Sequence, residues 1–398
     1  MIGQLGGSAR RLMNPKRAGT LKAIGLLTTG IPMAIFGLSM ARAADAPGLL
    51  PNIHHHVPQT TTITSNGDLN PYAVVLAPVS AGTIRQGDVL VDNFNNISNL
   101  QGTGTTIIAY SPVTRKVSLV ARLPQKLAQC PGGVGLTTAM TMLKSGWIIV
   151  GSTPSTDGTT RTKGDGCLLV LDPNGRLAGV WAGPNINDPW GNMATVDNGS
   201  TATLFVSMAG FDVPGPEVHN AEGYPIIVNK ATVLRLSLTI PPGQPPQITS
   251  QTVIANGFGQ RANRDAFLIG PTGLALGPDD TLFVSDAVGN RIVAISDAMT
   301  RTTSAGTGRV VTEGGLLKRP LALIRIANGH LLACNALNGQ VVEIDPANGQ
   351  QLYAQWIDNN QAQSPPGNGD LFGMALTPDG TGFYYVEDDM NTLVEATH

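Results

Sequence analysis

The amino-acid sequence predicts an all-β, six-bladed β-propeller with four-stranded antiparallel blades, and two observations carry that prediction. The first is a repeated unit, clearest at Pro271–Asp297 as PTGLALGPDDTLFVSDAVGNRIVAISD, where three apolar strand-like runs are separated by two turn signals. The pattern returns with drift near residues 71, 131, 190, 320 and 371, so the unit occurs six times. The second is composition. A chain of 398 residues with 42% hydrophobic and 13% charged residues, 48 Gly and 28 Pro suits many short strands joined by tight turns over a large core.

Each copy opens with an apolar strand rich in small residues: PYAVVLAP at 71, GGVGLTTAM at 132, WGNMATV at 190, PTGLALGP at 271, PLALIRI at 320 and LFGMALTP at 371. Innermost strands converge on a propeller axis, and Gly and Ala let their backbones approach. A turn such as PDDT at 278 or PDGT at 378 leads to a second strand: DVLVDN, GWIIVGS, TLFVSMA, TLFVSDA, HLLACNA or FYYVEDD. Third strands include TTIIAYSP, GCLLVLDP, TVLRLSLT, RIVAISD and QVVEIDP, and outer strands include VSLVARL, LAGVWAG and QLYAQWI.

The copies are spaced roughly 50 to 80 residues apart, and the longest insertion, Ala209 to Lys230, falls in the third blade. The last copy stops at Thr397-His398 after its third strand. An open edge invites aggregation, so TTTITSN at 61–67 is expected to close the ring as an N-terminal strand of a propeller spanning 61–398. The stretch 44–60, with Pro47, Pro51 and Pro58, reads as a flexible leader.

Residues 1–43 read as an export signal. Arg10, Arg11, Lys16, Arg17 and Lys22 form a basic region, Ala23 to Met40 is largely apolar, and Ala41-Arg42-Ala43 is a small-x-small cleavage site before Ala44. The apolar run is broken by Gly25, Gly30, Pro32 and Gly37, which argues against a retained membrane anchor. Arg10-Arg11 stands apart from that run, which favours general secretion over a twin-arginine signal. The expected location is periplasmic or secreted.

Beyond Ala43 the chain keeps 19 of its 25 Lys and Arg against all 27 Asp and Glu, a formal charge of −8. With no basic run and only 5% aromatic residues, no nucleic-acid partner is expected. Three cysteines leave two readings: a Cys130–Cys167 disulfide with Cys334 left over, or three reduced, buried thiols.

The run GLALGPDDTLFVSDAVGNRIVAI at 273–295 resembles the NHL-repeat family of six-bladed propellers, and the likeness extends weakly over about 70 to 398. That family implies the architecture and leaves activity open among protein-binding or RNA-binding platforms, lactone hydrolases and lyases. The blade pattern is also similar to that of gluconolactonase and regucalcin-like propellers, which implies a divalent cation held by Glu, Asn or Asp just before the Gly of an inner strand. Here those places hold Thr272 before Gly273 and Phe372 before Gly373, and the third blade offers Trp190-Gly191-Asn192. Only Asn192 among them carries the amide oxygen that the resemblance asks of a cation ligand.

Candidate site residues come in two sets. Asp92 with Asn96, Asp286 with Asn290, Asn335 with Gly339 and Glu387 with Asn391 recur four residues apart after second strands. They read as turn braces or as a polar ring that binds a ligand or cation. Asp212, Glu217 and His219 in the third-blade insertion, with Glu222 nearby, read as a solvated loop or as a metal site or lid. His54-His55-His56 lies in the leader and reads as a solvated tail, and His330 as structural. No nucleophile elbow, phosphate loop or His-Glu-x-x-His helix occurs. The sequence is therefore expected to encode an exported, NHL-repeat-like propeller that binds a protein, glycan or small polar ligand. The alternative is a metal-dependent, lactonase-like hydrolase or lyase with its site at the channel mouth.

Overall fold

The computed structural model describes residues 47–398 apart from Glu217, Asn359 and Asp370. The predicted export signal, 1–43, lies outside the described residues.

Strand β1 (His55–Thr61) precedes six antiparallel sheets in chain order. Blade 1 holds β2 (Leu69–Leu76), β3 (Val89–Asn95), β4 (Thr106–Ser111) and β5 (Lys116–Arg122). Blade 2 holds β6 (Leu136–Met142), β7 (Ile148–Ser152), β8 (Cys167–Leu171) and β9 (Leu177–Trp181). Blade 3 is larger, with β10 (Ala194–Asp197), β11 (Thr201–Met208), β12 (Val228–Thr239), β13 (Gln247–Asn263) and β14 (Phe267–Ile269). Blade 4 holds β15 (Pro271–Leu276), β16 (Leu282–Asp286), β17 (Arg291–Ile295) and β18 (Arg309–Glu313). Blade 5 holds β19 (Pro320–Arg325), β20 (Leu331–Asn335), β21 (Gln340–Asp345) and β22 (Gln350–Trp356). Blade 6 holds β23 (Leu371–Leu376), β24 (Phe383–Glu387) and β25 (Thr392–Thr397).

The first strand of each blade is the inner one, since β2 touches both β6 and β23, and β19 touches both β15 and β23. Glycine makes this convergence possible. A Cβ on Gly373 would lie 2.1 Å from Tyr72 O, one on Gly273 2.3 Å from Leu323 N, and one on Gly191 1.5 Å from Thr272 O. Any side chain there would push adjacent blades apart. The second strands tie down the same corner, because Ser285 Oγ accepts from Gly273 N and donates to Leu321 O of the next blade. Ser207 does the same between Gly191 N and Thr272 O.

Burial follows from this geometry. Six apolar clusters fill the gaps between successive blades, and a seventh sits on the axis. The Cys130–Cys167 disulfide ties the β5–β6 connection to β8, while Cys334 is buried and free.

The ring is closed by N-terminal chain, as expected, but by an earlier segment. Strand β1 pairs with β25, so the closing residues are 55–61 rather than 61–67. After Thr62 the chain leaves the edge, and Gly67, in a left-handed conformation, turns it into β2. Pro58 is tolerated because an outermost strand has one side without ladder partners, and the register shifts beside it. The segment expected to be a leader is likewise drawn in: Leu50 and Ile53 are buried against blade 5, and His55 and His56 stand on β1.

Candidate ligand cleft beside the axis

We call the side where inner strands begin the entry face and the side where they end the exit face. The predicted polar pairs stand toward the entry face, at or just after the ends of second strands except for Asp92, which lies within β3.

Apart from Asp92 Oδ2, which is buried without a partner among the described residues, these side chains are engaged with nearby backbone and side chains. Asp286 accepts from Gly289 N at 3.0 Å and from Arg291 Nε at 2.8 Å. Asn290 accepts from Arg319 N at 2.7 Å and donates to Leu317 O at 3.1 Å, while Asn335 accepts from Lys318 N and donates to Leu316 O. Two amides thus clamp one β18–β19 connection. Asn391 accepts from Asn70 N across the ring closure. Asn290, Gly339 and Asn391 all take left-handed backbone, φ 50°, 60° and 53°, which explains why Asn or Gly recurs there. Glu387 accepts from Thr392 Oγ1 at 3.2 Å, and burial, followed by Asp358, pushes its carboxyl up to about 7.

Asp92 belongs to a different register. Asn93 opposes Pro71 as Asp286 opposes Pro271, Asn335 opposes Pro320 and Glu387 opposes Leu371. Asp92 instead occupies the place of Ser285, accepting from Ala73 N at 2.8 Å, and burial pushes it up to about 8. Asn96, four residues on, caps the amides of Ser98 and Leu100.

The axis at the entry face is filled by aromatic rings. Tyr72 stacks on Phe372 at 3.9 Å and on Phe94 at 4.4 Å, with Trp190 and Phe267 completing the plug. Phe267 arrives from the β13–β14 hairpin in a left-handed conformation, φ 62°, which is costly for an aromatic residue. The turn is braced by Asn263 Oδ1, which accepts from Asp265 N and Ala266 N. Asn192 spans inner strands instead, donating to Leu274 O and Leu323 O and accepting from Leu323 N. With Thr272 and Phe372 at the other positions, these residues do not fit a divalent cation on the axis.

The third-blade insertion runs from Ala209 to Ile227 between β11 and β12, over the entry face. Asp212 pairs with Lys230, His219 bridges to Pro225, and Glu217 lies outside the described residues. Among the described residues, no three His, Cys, Asp or Glu side chains converge to hold a metal. The insertion exposes Val218, Tyr224 and Ile227 to solvent.

Ile227 also walls a cleft of about 230 Å³ beside the plug, together with Val288, Leu337, Arg261, Lys318 and Arg319. Sequence reasoning missed it. Arg261 comes from the far end of β13 and Arg319 from the β18–β19 connection, where its backbone is left-handed at φ 59°. Both arginines are half-buried. Arg319 is pushed down to about 10, by burial first and by Arg261 second, with Asp265 opposing. Burial also lowers Arg261, whose guanidinium, among the described residues, donates only to Ala262 O, at 3.2 Å. Among the described residues the Arg319 guanidinium has no hydrogen bond or ion pair. Two like charges held together in a half-buried cleft raise each other's cost, and a bound anion would relieve it.

No protein-family model matches the chain, the NHL repeat included, and no curated protein matches it in sequence. Solved structures do share the fold. A gluconolactonase from Xanthomonas campestris superposes with TM-score 0.54 at 12% identity, covering 88% of this chain and 91% of that one. A luciferin-regenerating enzyme superposes with TM-score 0.51 at 10% identity, covering 86% and 95%. At these identities the likeness is one of architecture.

Proposed function

We propose that the protein is an exported, NHL-repeat-like propeller that binds a small anionic polar ligand in the cleft between Arg261 and Arg319. The observation that carries this reading is the pairing of two half-buried guanidinium groups over one cavity, with no carboxylate bonded to either among the described residues. Planar guanidinium forks match carboxylate and phosphate oxygens, and the apolar wall at Ile227 and Val288 would exclude water from them. A formal charge of −8 beyond Ala43 makes a local pair of cations with no bonded carboxylate more distinctive. Export is supported by the Cys130–Cys167 bond, which belongs to an oxidising compartment.

The test is calorimetric titration of the purified protein with gluconate, citrate and inorganic phosphate. Saturable binding that weakens at least tenfold in both Arg261→Ala and Arg319→Ala is expected. Equal affinities in wild type and both variants, or no binding of any of the three, would overturn the reading. The alternative, a lactonase-like hydrolase or lyase, draws support from the fold shared with the gluconolactonase. It expects turnover of a sugar lactone, whereas a binding module leaves the lactone unchanged.

A further inference from the structure

On the exit face the C-terminal halves of five inner strands, with the start of β10 and the two residues before it, flare into an axial funnel of about 460 Å³. That volume lies within the range of about 300–1,000 Å³ occupied by small-molecule sites. Its wall is mostly aliphatic, with Leu76, Leu276 and Ile324 half-buried at the surface and Met140, Met193 and Met374 largely buried behind them. At its floor Asn192 ties β15 to β19 through its amide.

One charged side chain lines this apolar mouth. Arg325, the last residue of β19, is half-buried at the wall, and among the described residues its guanidinium makes no hydrogen bond or ion pair. The polar neighbours do not compete for it: Thr195 donates to Thr141 at 3.0 Å, and Thr377 donates to Asp379 at 2.7 Å. A cation at the mouth of an apolar well selects a ligand with an anionic head and an apolar body. The body is driven in by release of water from aliphatic wall, and the head gains a two-pronged, charge-assisted bond.

From this geometry we infer that the exit-face funnel is a second binding site, separate from the entry-face cleft, and that it takes a medium-chain monocarboxylate with its carboxylate on Arg325. The inference does not depend on the cleft, since no residue is shared between the two cavities.

Decanoate below its micellar concentration is the probe, titrated into the full-length exported protein by calorimetry. Decanoate is expected to bind saturably, Arg325→Gln to weaken it at least tenfold, and decanol to bind at least tenfold more weakly than decanoate. Thr195→Asp, which adds a negative charge to the wall without touching the core, is expected to weaken decanoate similarly. Saturating gluconate is expected to leave decanoate affinity unchanged. Absence of decanoate binding, equal affinity in wild type and Arg325→Gln, or displacement by gluconate would each overturn the funnel assignment. The outcomes of decanoate binding and of Arg325→Gln hold whether or not the entry-face cleft binds gluconate.

Discussion

Glu343 holds His330 and the N-terminal chain at once. One carboxylate oxygen lies 2.7 Å from His330 Nδ1, and the other accepts from Leu49 N and Leu50 N at 2.9 and 3.0 Å. The carboxylate side chain is wholly buried, so these bonds replace the water it lost. Asn328 adds a bond from its amide to Pro47 O, and Gln355 adds one to Ile53 O. Residues that follow an expected cleavage site are thereby stitched to blade 5.

Removing one partner of such a buried pair costs about 3–5 kcal/mol. Glu343→Ala is therefore expected to lower the denaturation midpoint and to free the segment around Leu49. Limited proteolysis should cut Glu343→Ala near residues 47–53 while sparing wild type. Equal resistance would show that the apolar contacts of Leu50 and Ile53 suffice alone.

Asp92 gives a pH dependence. Burial raises its carboxyl from the ordinary 3.8 to about 8, against the opposing bond from Ala73 N. The folded state therefore holds this proton more tightly than the unfolded chain. Its contribution to stability is complete below the ordinary value and is lost as pH climbs through about 8. Melting temperature should fall over that window in wild type, and Asp92→Asn should flatten the slope. An unchanged slope in the variant would assign the effect to other groups.

Gly273 tests the packing of inner strands. An added Cβ would sit 2.3 Å from Leu323 N, which is backbone and cannot rotate away. Gly273→Ala should destabilise by about 1–3 kcal/mol, measured by chemical denaturation.

The Cys130–Cys167 bond closes a chain separation of 37 residues. Reduction, or Cys130→Ser with Cys167→Ser, should cost about 2–4 kcal/mol. Free Cys334 is pushed up to about 12 by burial, so alkylation of the folded, non-reduced protein should be negligible.

The blades were legible because alternation, turn residues and small inner residues are local signals. The small residues of the inner strands marked the close approach seen at Gly191, Gly273 and Gly373. Register was harder: Asp92 and Asn93 differ by one position, and one residue moves a side chain to the opposite face of a strand. Spacing alone therefore assigned Asp92 to the place that Asn93 fills. The cleft was not legible at all. Arg261 and Arg319 share no motif, and they meet because β13 runs 17 residues and turns back at Phe267. The funnel was hidden for a similar reason, since Arg325 reads in sequence as an ordinary strand end.

Strand β1 lies against β25, with His55 opposite Thr397 and Thr61 opposite Thr392. Blade 6 is consequently assembled from both extremities of the described chain, and no length of nascent polypeptide short of the final strand can complete it. Synthesis or translocation in order from the first residue leaves β1 waiting, with a bare hydrogen-bonding edge, through the emergence of five blades. Such long-range pairing is slow to form. A chaperone or export partner that shields the stretch around His55–Thr61 until Thr397 arrives would act on the step that commits the ring to closing.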